Sequence, residues 1–208
     1  MLLHAGVLSP RLSVAHGVHL TPEDVRLLVE HGVGLAYNPS SNMKMAAGIA
    51  SIPKYLSEGL TVGLGTDSNL SNNNLDMFEE MRVGAFLQKL TLKDPAAMPV
   101  QTMLDMATRF SAKVLNMEKL VGSLEIGKQA DIILVDLDQP HLWPLVDGTR
   151  HNIEEQIVYS ASAADVSHTI VAGRVLMAER KVLTLDEDEA FKLVQEQTQF
   201  LLKKAGLV

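Results

Sequence analysis

The sequence predicts an α/β fold with a parallel sheet, followed by a small β module and a terminal helix. Three observations carry this. Short apolar runs alternate with helical patterns from residue 11 to about residue 75, as βα units do. The texture changes after Leu120, where polar turn-like stretches bracket strand-like runs. The chain then finishes on an amphipathic pattern over residues 187–204.

Each element follows from local chemistry. Residues 11–15 form a short strand-like run that ends at His16. Thr21 can cap the next helix, Pro22 needs no N–H at its first position, and Glu23 and Asp24 face the positive end of its dipole. Val25, Leu28 and Val29 then share one face, and Gly32 suits the helix end. Residues 34–37 read as a second strand with Asn38-Pro39 as its exit turn. Ile52, Tyr55 and Leu56 read as a helical face closed by Gly59. Residues 60–64 are the third strand, leaving through Gly65-Thr66-Asp67. Asp76 with Glu79 offers a capping box for a helix to about Leu90, and two helical stretches follow over 100–109 and 111–117. Beyond Leu120, residues 131–136 read as a buried strand and 168–178 as two strands turning at Gly173.

Composition narrows the chemistry. The chain has 208 residues, 47% hydrophobic and 21% charged, with 25 acidic against 18 basic side chains. That balance offers no basic surplus for phosphates and argues against a nucleic-acid partner. There are no cysteines, which excludes disulfides and thiol chemistry and fits a reducing cytoplasm. No apolar run approaches the roughly 20 residues of a membrane span, so no membrane partner is expected. Three parallel units cannot close a barrel, which needs eight and about 250 residues. As an open sheet they leave bare edges. The expectation is either a small unusual α/β domain or the back half of something larger, the second favoured by an opening stretch with no obvious starting strand.

In parallel sheets chemistry gathers where strands end. Three polar clusters lie there: His16-Gly17-Val18-His19, Asn38-Pro39-Ser40-Ser41-Asn42, and Gly65-Thr66-Asp67-Ser68-Asn69. His16 and Asp67 can share a metal-bound water, Asp67 as a hard oxygen ligand and the imidazole as hydrogen-bonding partner. The bland alternatives are a structural histidine and a turn aspartate. His19, His31, His141, His151 and His168 read as surface or packing residues. Met43, Met45, Met77 and Met81 read as core and pocket lining, and Asp105, Glu79 and Glu80 as solvated helix faces.

These residues resemble a known family. Ala15-His16-Gly17-Val18-His19-Leu20, the run from Tyr37 through Asn38-Pro39-Ser40-Ser41-Asn42 to Ile49, Leu64-Gly65-Thr66-Asp67, and Ser71 through Arg82 are similar to the amidohydrolase superfamily. The nearest likeness is to its methylthioadenosine/S-adenosylhomocysteine deaminase and chlorohydrolase branch. Residues 122–136 and Val171-Ala172-Gly173-Arg174 resemble that superfamily's return into a small β-sandwich. The resemblance implies the C-terminal part of a (β/α)8 TIM-type barrel (last three strands), followed by part of a small β-sandwich and a terminal helix. It divides the chain into barrel over 1–120 and sandwich plus helix over 121–208.

By the same resemblance Asp67 follows the eighth barrel strand, binds a divalent metal, Zn²⁺ or Fe²⁺, contacts substrate and takes the proton of the attacking water. His16 follows the sixth strand and orients that water or the substrate. The implied reaction is hydrolytic deamination of an adenosine-like substrate in the cytoplasm. The alternatives are hydrolysis of an s-triazine or guanine-like ring, or an inactive truncated interaction module. The family's His-x-His and its His-x-x-Glu are absent, so one metal ligand of the usual four is present and the metal is not expected to be held by this chain alone. The implied partners are a nucleoside-like or heteroaromatic small molecule, the missing N-terminal half, and further copies in a homo-oligomer. Tyr37 stands where the branch often has His, which leaves the exact substrate open.

Overall fold

The computed structural model describes residues 3–208, so Met1 and Leu2 of the expected first domain lie outside the described residues. The chain forms two compact units. The first runs up to Gln129 and adds Leu137–Asp165; the second combines Ala130–Asp136 with Val166–Val208.

The first unit holds a parallel sheet of β1 (Ser13–Ala15), β2 (Gly34–Tyr37) and β3 (Val62–Leu64), with β2 in the middle. Helix α1 (Pro22–Glu30) joins β1 to β2. Its N-terminus carries the expected Thr21 cap, and Asp24, expected only to face the dipole, adds the reciprocal bond to the Thr21 amide. Between β2 and β3 lie two short helices, α2 (Pro39–Lys44) and α3 (Ile52–Ser57). The first occupies what reads in sequence as an exit turn, because Pro39 starts a helix as readily as it ends a strand. After β3 come α4 (Asn69–Asn72), α5 (Met77–Leu92), α6 (Val100–Ala107) and α7 (Arg109–Val114). Asp76 caps α5 through Oδ1, which accepts the Phe78 and Glu79 amides.

Two glycines let α7 lie directly on the sheet. A Cβ on Gly63 would sit 2.7 Å from the Ser111 Cα, and one on Gly34 2.8 Å from the Val114 Cα. The approach lets Ser111 Oγ donate to the Leu64 carbonyl and accept the Leu64 amide, both at 3.1 Å, which satisfies the outer edge of β3. Leu35, Tyr37, Ile52, Val62, Met103 and Met106 form the core beneath it.

Residues 137–165, which the sequence reading groups with the β module, belong to the first unit. Their α8 (Ile153–Tyr159) lies along α5: Tyr159 stacks on Phe86 with ring centroids 5.5 Å apart, and Val158 and Ala161 are fully buried. The signal was weak because only a few apolar positions in seven residues mark the helix. The Ala163 amide donates to Asp76 Oδ2 at 2.9 Å, so the residue that caps α5 also holds this segment.

The second unit is an antiparallel sheet in the order β4 (Ile132–Val135), β5 (Val166–Val171), β6 (Arg174–Ala178), β7 (Lys181–Val182), followed by α9 (Glu187–Lys204). The β5–β6 turn at Gly173 falls where the sequence places it. No helix among the described residues is long and apolar enough to cross a membrane.

Candidate active site

His16 and Asp67 sit one residue and three residues past the ends of β1 and β3, at the C-terminal end of the parallel sheet. Both have left-handed backbones, with φ of 66° and 65°. Histidine and aspartate tolerate that region better than most side chains, but it still carries strain of about 1 kcal/mol or more. Neighbours hold it in place. The His16 amide donates to the Ala36 carbonyl at 2.9 Å and lies 3.3 Å from Asn38 Oδ1.

The side chains are brought together from 51 positions apart in sequence: His16 Nε2 stands 3.9 Å from Asp67 Oδ2. That gap suits one oxygen within about 2.8 Å of both atoms, the length of a good hydrogen bond. His16 Nδ1 and Asn42 Oδ1 lie 2.8 Å apart, a contact that orients the ring so that Nε2 faces the gap. Asp67 is held by three donors. Ser41 Oγ and Ser71 Oγ donate to Oδ2 at 2.6 and 2.8 Å, and the Ser68 amide donates to Oδ1 at 2.7 Å. The Ser41 hydroxyl first, then Ser71 and the Ser68 amide, hold the Asp67 carboxyl below the usual range, so it is an anion at neutral pH.

The segments carrying these donors are tied to each other. Lys44 Nζ donates to the Leu70 carbonyl at 2.8 Å and to Asn73 Oδ1 at 2.5 Å. Behind them Glu80 is fully buried, contrary to its reading as a solvated helix face. Burial pushes its carboxyl up, against hydrogen bonds from Ser40 and Asn72 that pull it down. The signal that could have found it is Gly84, one turn further along α5, which marks the same side of the helix as closely packed: a Cβ there would meet Tyr37 at 3.1 Å.

Other expectations sort as follows. Met81 is core, but Met43 and Met45 are exposed, because they lie at the outer end of α2. Tyr37 is buried against α5 with its hydroxyl accepting from Gln88 Nε2 at 3.1 Å, and burial raises it to about 12. It therefore serves the core. Asp105 is also mostly buried, its carboxylate gripped by Arg109. His141 pairs with Asp165 at 3.0 Å, and His151 with Glu154 at 2.8 Å.

A carboxylate and an imidazole are a fraction of a metal site. Among the described residues no group of three or more His, Cys, Asp or Glu side chains could hold a metal ion. Asp67 Oδ2 is the hard carboxylate oxygen that faces the gap, where tight metal sites use three or four protein ligands.

Comparison with known proteins bears on what the arrangement belongs to. The chain is 45% identical over 202 residues to a 5-methylthioadenosine/S-adenosylhomocysteine deaminase of Desulforudis audaxviator, covering 97% of this chain and 45% of that protein. It resembles the solved structure of a zinc-bound adenosine deaminase from Xanthomonas campestris at a TM-score of 0.90 and 30% identity, covering 97% of this chain and 45% of that one. A zinc complex of atrazine chlorohydrolase from Arthrobacter aurescens follows at 0.83 and 27%, covering 94% and 42%. The chain thus spans about half the length of the curated relatives it matches. Residues 2–176 match the Amidohydrolase family. With the strand-end His16 and Asp67 inside that match, the chain belongs to the amidohydrolase family.

Proposed function

We propose that the chain is the C-terminal part of a metal-dependent hydrolase that deaminates an adenosine-like nucleoside of the methylthioadenosine or S-adenosylhomocysteine class. The observation that carries this is the 3.9 Å gap between His16 Nε2 and Asp67 Oδ2 at the C-terminal end of a parallel sheet. On this reading β1, β2 and β3 are the last three strands of a (β/α)8 barrel carried by residues 1–120. The strands drawn from 130–136 and 166–182 belong to a small β-sandwich within 121–208, with α9 as its terminal helix. The N-terminal half of the protein supplies the rest, the complete enzyme is a homo-oligomer, and a chain without cysteine suits the cytoplasm.

Asp67 would be one ligand of a divalent metal, zinc or iron, whose other ligands come from outside this chain. Such an ion makes bound water acidic enough to react at neutral pH. Asp67, ionised by its serine donors, accepts a proton from the attacking water and delivers it to the departing amino group. A C–O bond forms at the ring carbon as the C–N bond breaks, and ammonia leaves. His16 accepts a hydrogen bond from the attacking oxygen through Nε2 and orients it. A second reading, displacement of a leaving group from an s-triazine-like ring, draws on the likeness to the atrazine chlorohydrolase.

The test is co-expression of this chain with its upstream half, followed by ammonia release from 5′-methylthioadenosine and S-adenosylhomocysteine and chloride release from a chloro-s-triazine. Deamination of the nucleosides that Asp67→Asn abolishes supports the proposal. Turnover of the triazine alone selects the second reading. A soluble complex with no hydrolysis of any of the three points to an inactive interaction module.

A further inference from the structure

Glu80 of α5 is 0% exposed, and nothing in the proposed reaction uses it. Its two oxygens are divided between the two strand-end segments. Oε2 accepts the Ser40 amide at 3.2 Å, and Oε1 accepts from Asn72 Nδ2 at 2.8 Å. Asn72 Oδ1 in turn accepts the Leu75 amide at 2.7 Å. Ser40 adjoins Ser41 and Asn72 adjoins Ser71, and those two hydroxyls both donate to Asp67 Oδ2. One buried carboxylate thus grips both walls of the Asp67 cradle without touching Asp67. A buried carboxylate is costly to keep, and burial does push Glu80 up. The cost is met only where every donor around it is aimed, which makes the contacts exacting in geometry.

We propose that Glu80 is a positioning residue that fixes the spacing of the 40–42 and 68–75 segments, so that the Ser41 and Ser71 hydroxyls converge on Asp67. This rests on the reading of Asp67 as the working carboxylate and adds the residue that aims its donors.

The hydrogen-bond polarity supplies the test. In Glu80→Gln the new NH₂ must face either the Ser40 amide or the Asn72 NH₂, donor against donor. Turning the Asn72 amide over only moves the conflict to the Leu75 amide. Adding Asn72→Asp reverses the bond between positions 80 and 72 and satisfies all three contacts again, at unchanged net charge. Hydrogen–deuterium exchange resolved to single amides on the full 208-residue chain reads the result. The reporter is the Ser68 amide, which donates to Asp67 Oδ1 and makes no contact with Glu80. The Leu35 amide, bonded to the Thr61 carbonyl inside the sheet, is the control.

Glu80→Gln should speed exchange at Ser40 and Ser68 about tenfold while Leu35 is unchanged, the loss of one buried hydrogen bond. The paired variant should return both to within about threefold of the parent. Loosening at Ser40 with Ser68 unmoved overturns the proposal, because Glu80 then holds only its own contact. Equal loosening at Leu35 overturns it as well, since the role is then general stability. If Glu80→Gln does not fold, the paired variant decides alone: parental protection at Ser68 supports the clamp, and its loss refutes it. Any of these failures leaves the ammonia-release test of Asp67 untouched.

Discussion

The sheet β1–β2–β3 and the sheet β4–β7 use similar residues to opposite effect. In the first, β2 and β3 bury nearly every side chain, with Leu35, Tyr37 and Val62 at 0% exposure. In the second only Val166 is buried, while Ile133, Leu134, Val171 and Val175 are exposed, and α9 buries nothing. Within the first sheet the contrast recurs: β1 is mostly exposed although β2 beside it is not. A continuous apolar strand thus marks a position meant to be covered, and what covers it is set elsewhere. Where α6 and α7 fold back, β3 is finished. Where relatives about twice this length continue, the proposal assigns β1 and the small sheet to contacts with the N-terminal half.

The same substitution in the two units separates chemistry from scaffold. In the assembled protein Asp67→Asn should lower deamination by about 10³-fold or more, the scale of lost acid–base catalysis. Asp131→Asn in the second unit, where the carboxylate accepts the Ala172 amide at 2.7 Å, should leave the rate within about twofold and cost about 1 kcal/mol of stability. Steady-state assays and chemical unfolding of both variants give the comparison. Equal activity of the two would break the assignment of Asp67.

Glycines sharpen it next. Gly63→Ala should destabilise by about 1–3 kcal/mol, because the added carbon runs into Ser111 backbone that cannot give way. Gly173→Ala meets open space and should cost about 1 kcal/mol, the penalty of a φ of +75° alone. Unfolding midpoints of the two variants should rank in that order, and the reverse would mean that α7 does not bear on the sheet as described.

Acid should act on the first unit through residues 137–165. Burial pushes Asp165 up, but His141, the Ser162 amide and the Ser162 hydroxyl together hold it below the ordinary carboxylate range. A depressed carboxyl stabilises the fold above its unfolded-state value and loses that contribution as pH falls through its folded-state value. Asp165→Asn should therefore cost on the order of 1–2 kcal/mol at pH 7 and progressively less below about pH 4. A stability difference that stays constant from pH 7 to pH 2 would show that the charge of Asp165 is not what holds the segment.

How much of this the sequence disclosed depends on the range of the interaction. Elements with local causes were legible: the Thr21–Asp24 cap, the Gly173 turn, the ends of α9 and the three parallel strands all follow from neighbours in sequence. His16 and Asp67 were legible as a pair because strand ends in a parallel sheet must meet. The convergence of Ser41 and Ser71 on Asp67, and the burial of Glu80 behind them, are not legible in sequence, since their partners lie on different elements and a glutamate in a helix reads as solvated until the neighbouring layer is known. Helix α8 was hidden for the same reason: its burial comes from α5, about 75 residues away.

The smallest expected effect tests the second unit's terminal helix. Phe191, Leu193, Val194, Phe200 and Leu201 of α9 are each more than half exposed, which leaves them little packing to lose. Phe200→Ser in the isolated chain should move the unfolding free energy by less than about 0.5 kcal/mol, as surface changes do. It should act on association instead. Bare apolar faces on α9 and the small sheet should make the isolated chain self-associate and bind a hydrophobic dye. Losing one ring should lower dye binding and the sedimenting fraction in a graded way, whereas co-expression with the upstream half should abolish both. A clean monomer with low dye binding would sink the view that these faces await a partner. A loss of several kcal/mol on Phe200→Ser would show instead that α9 is already packed within the chain.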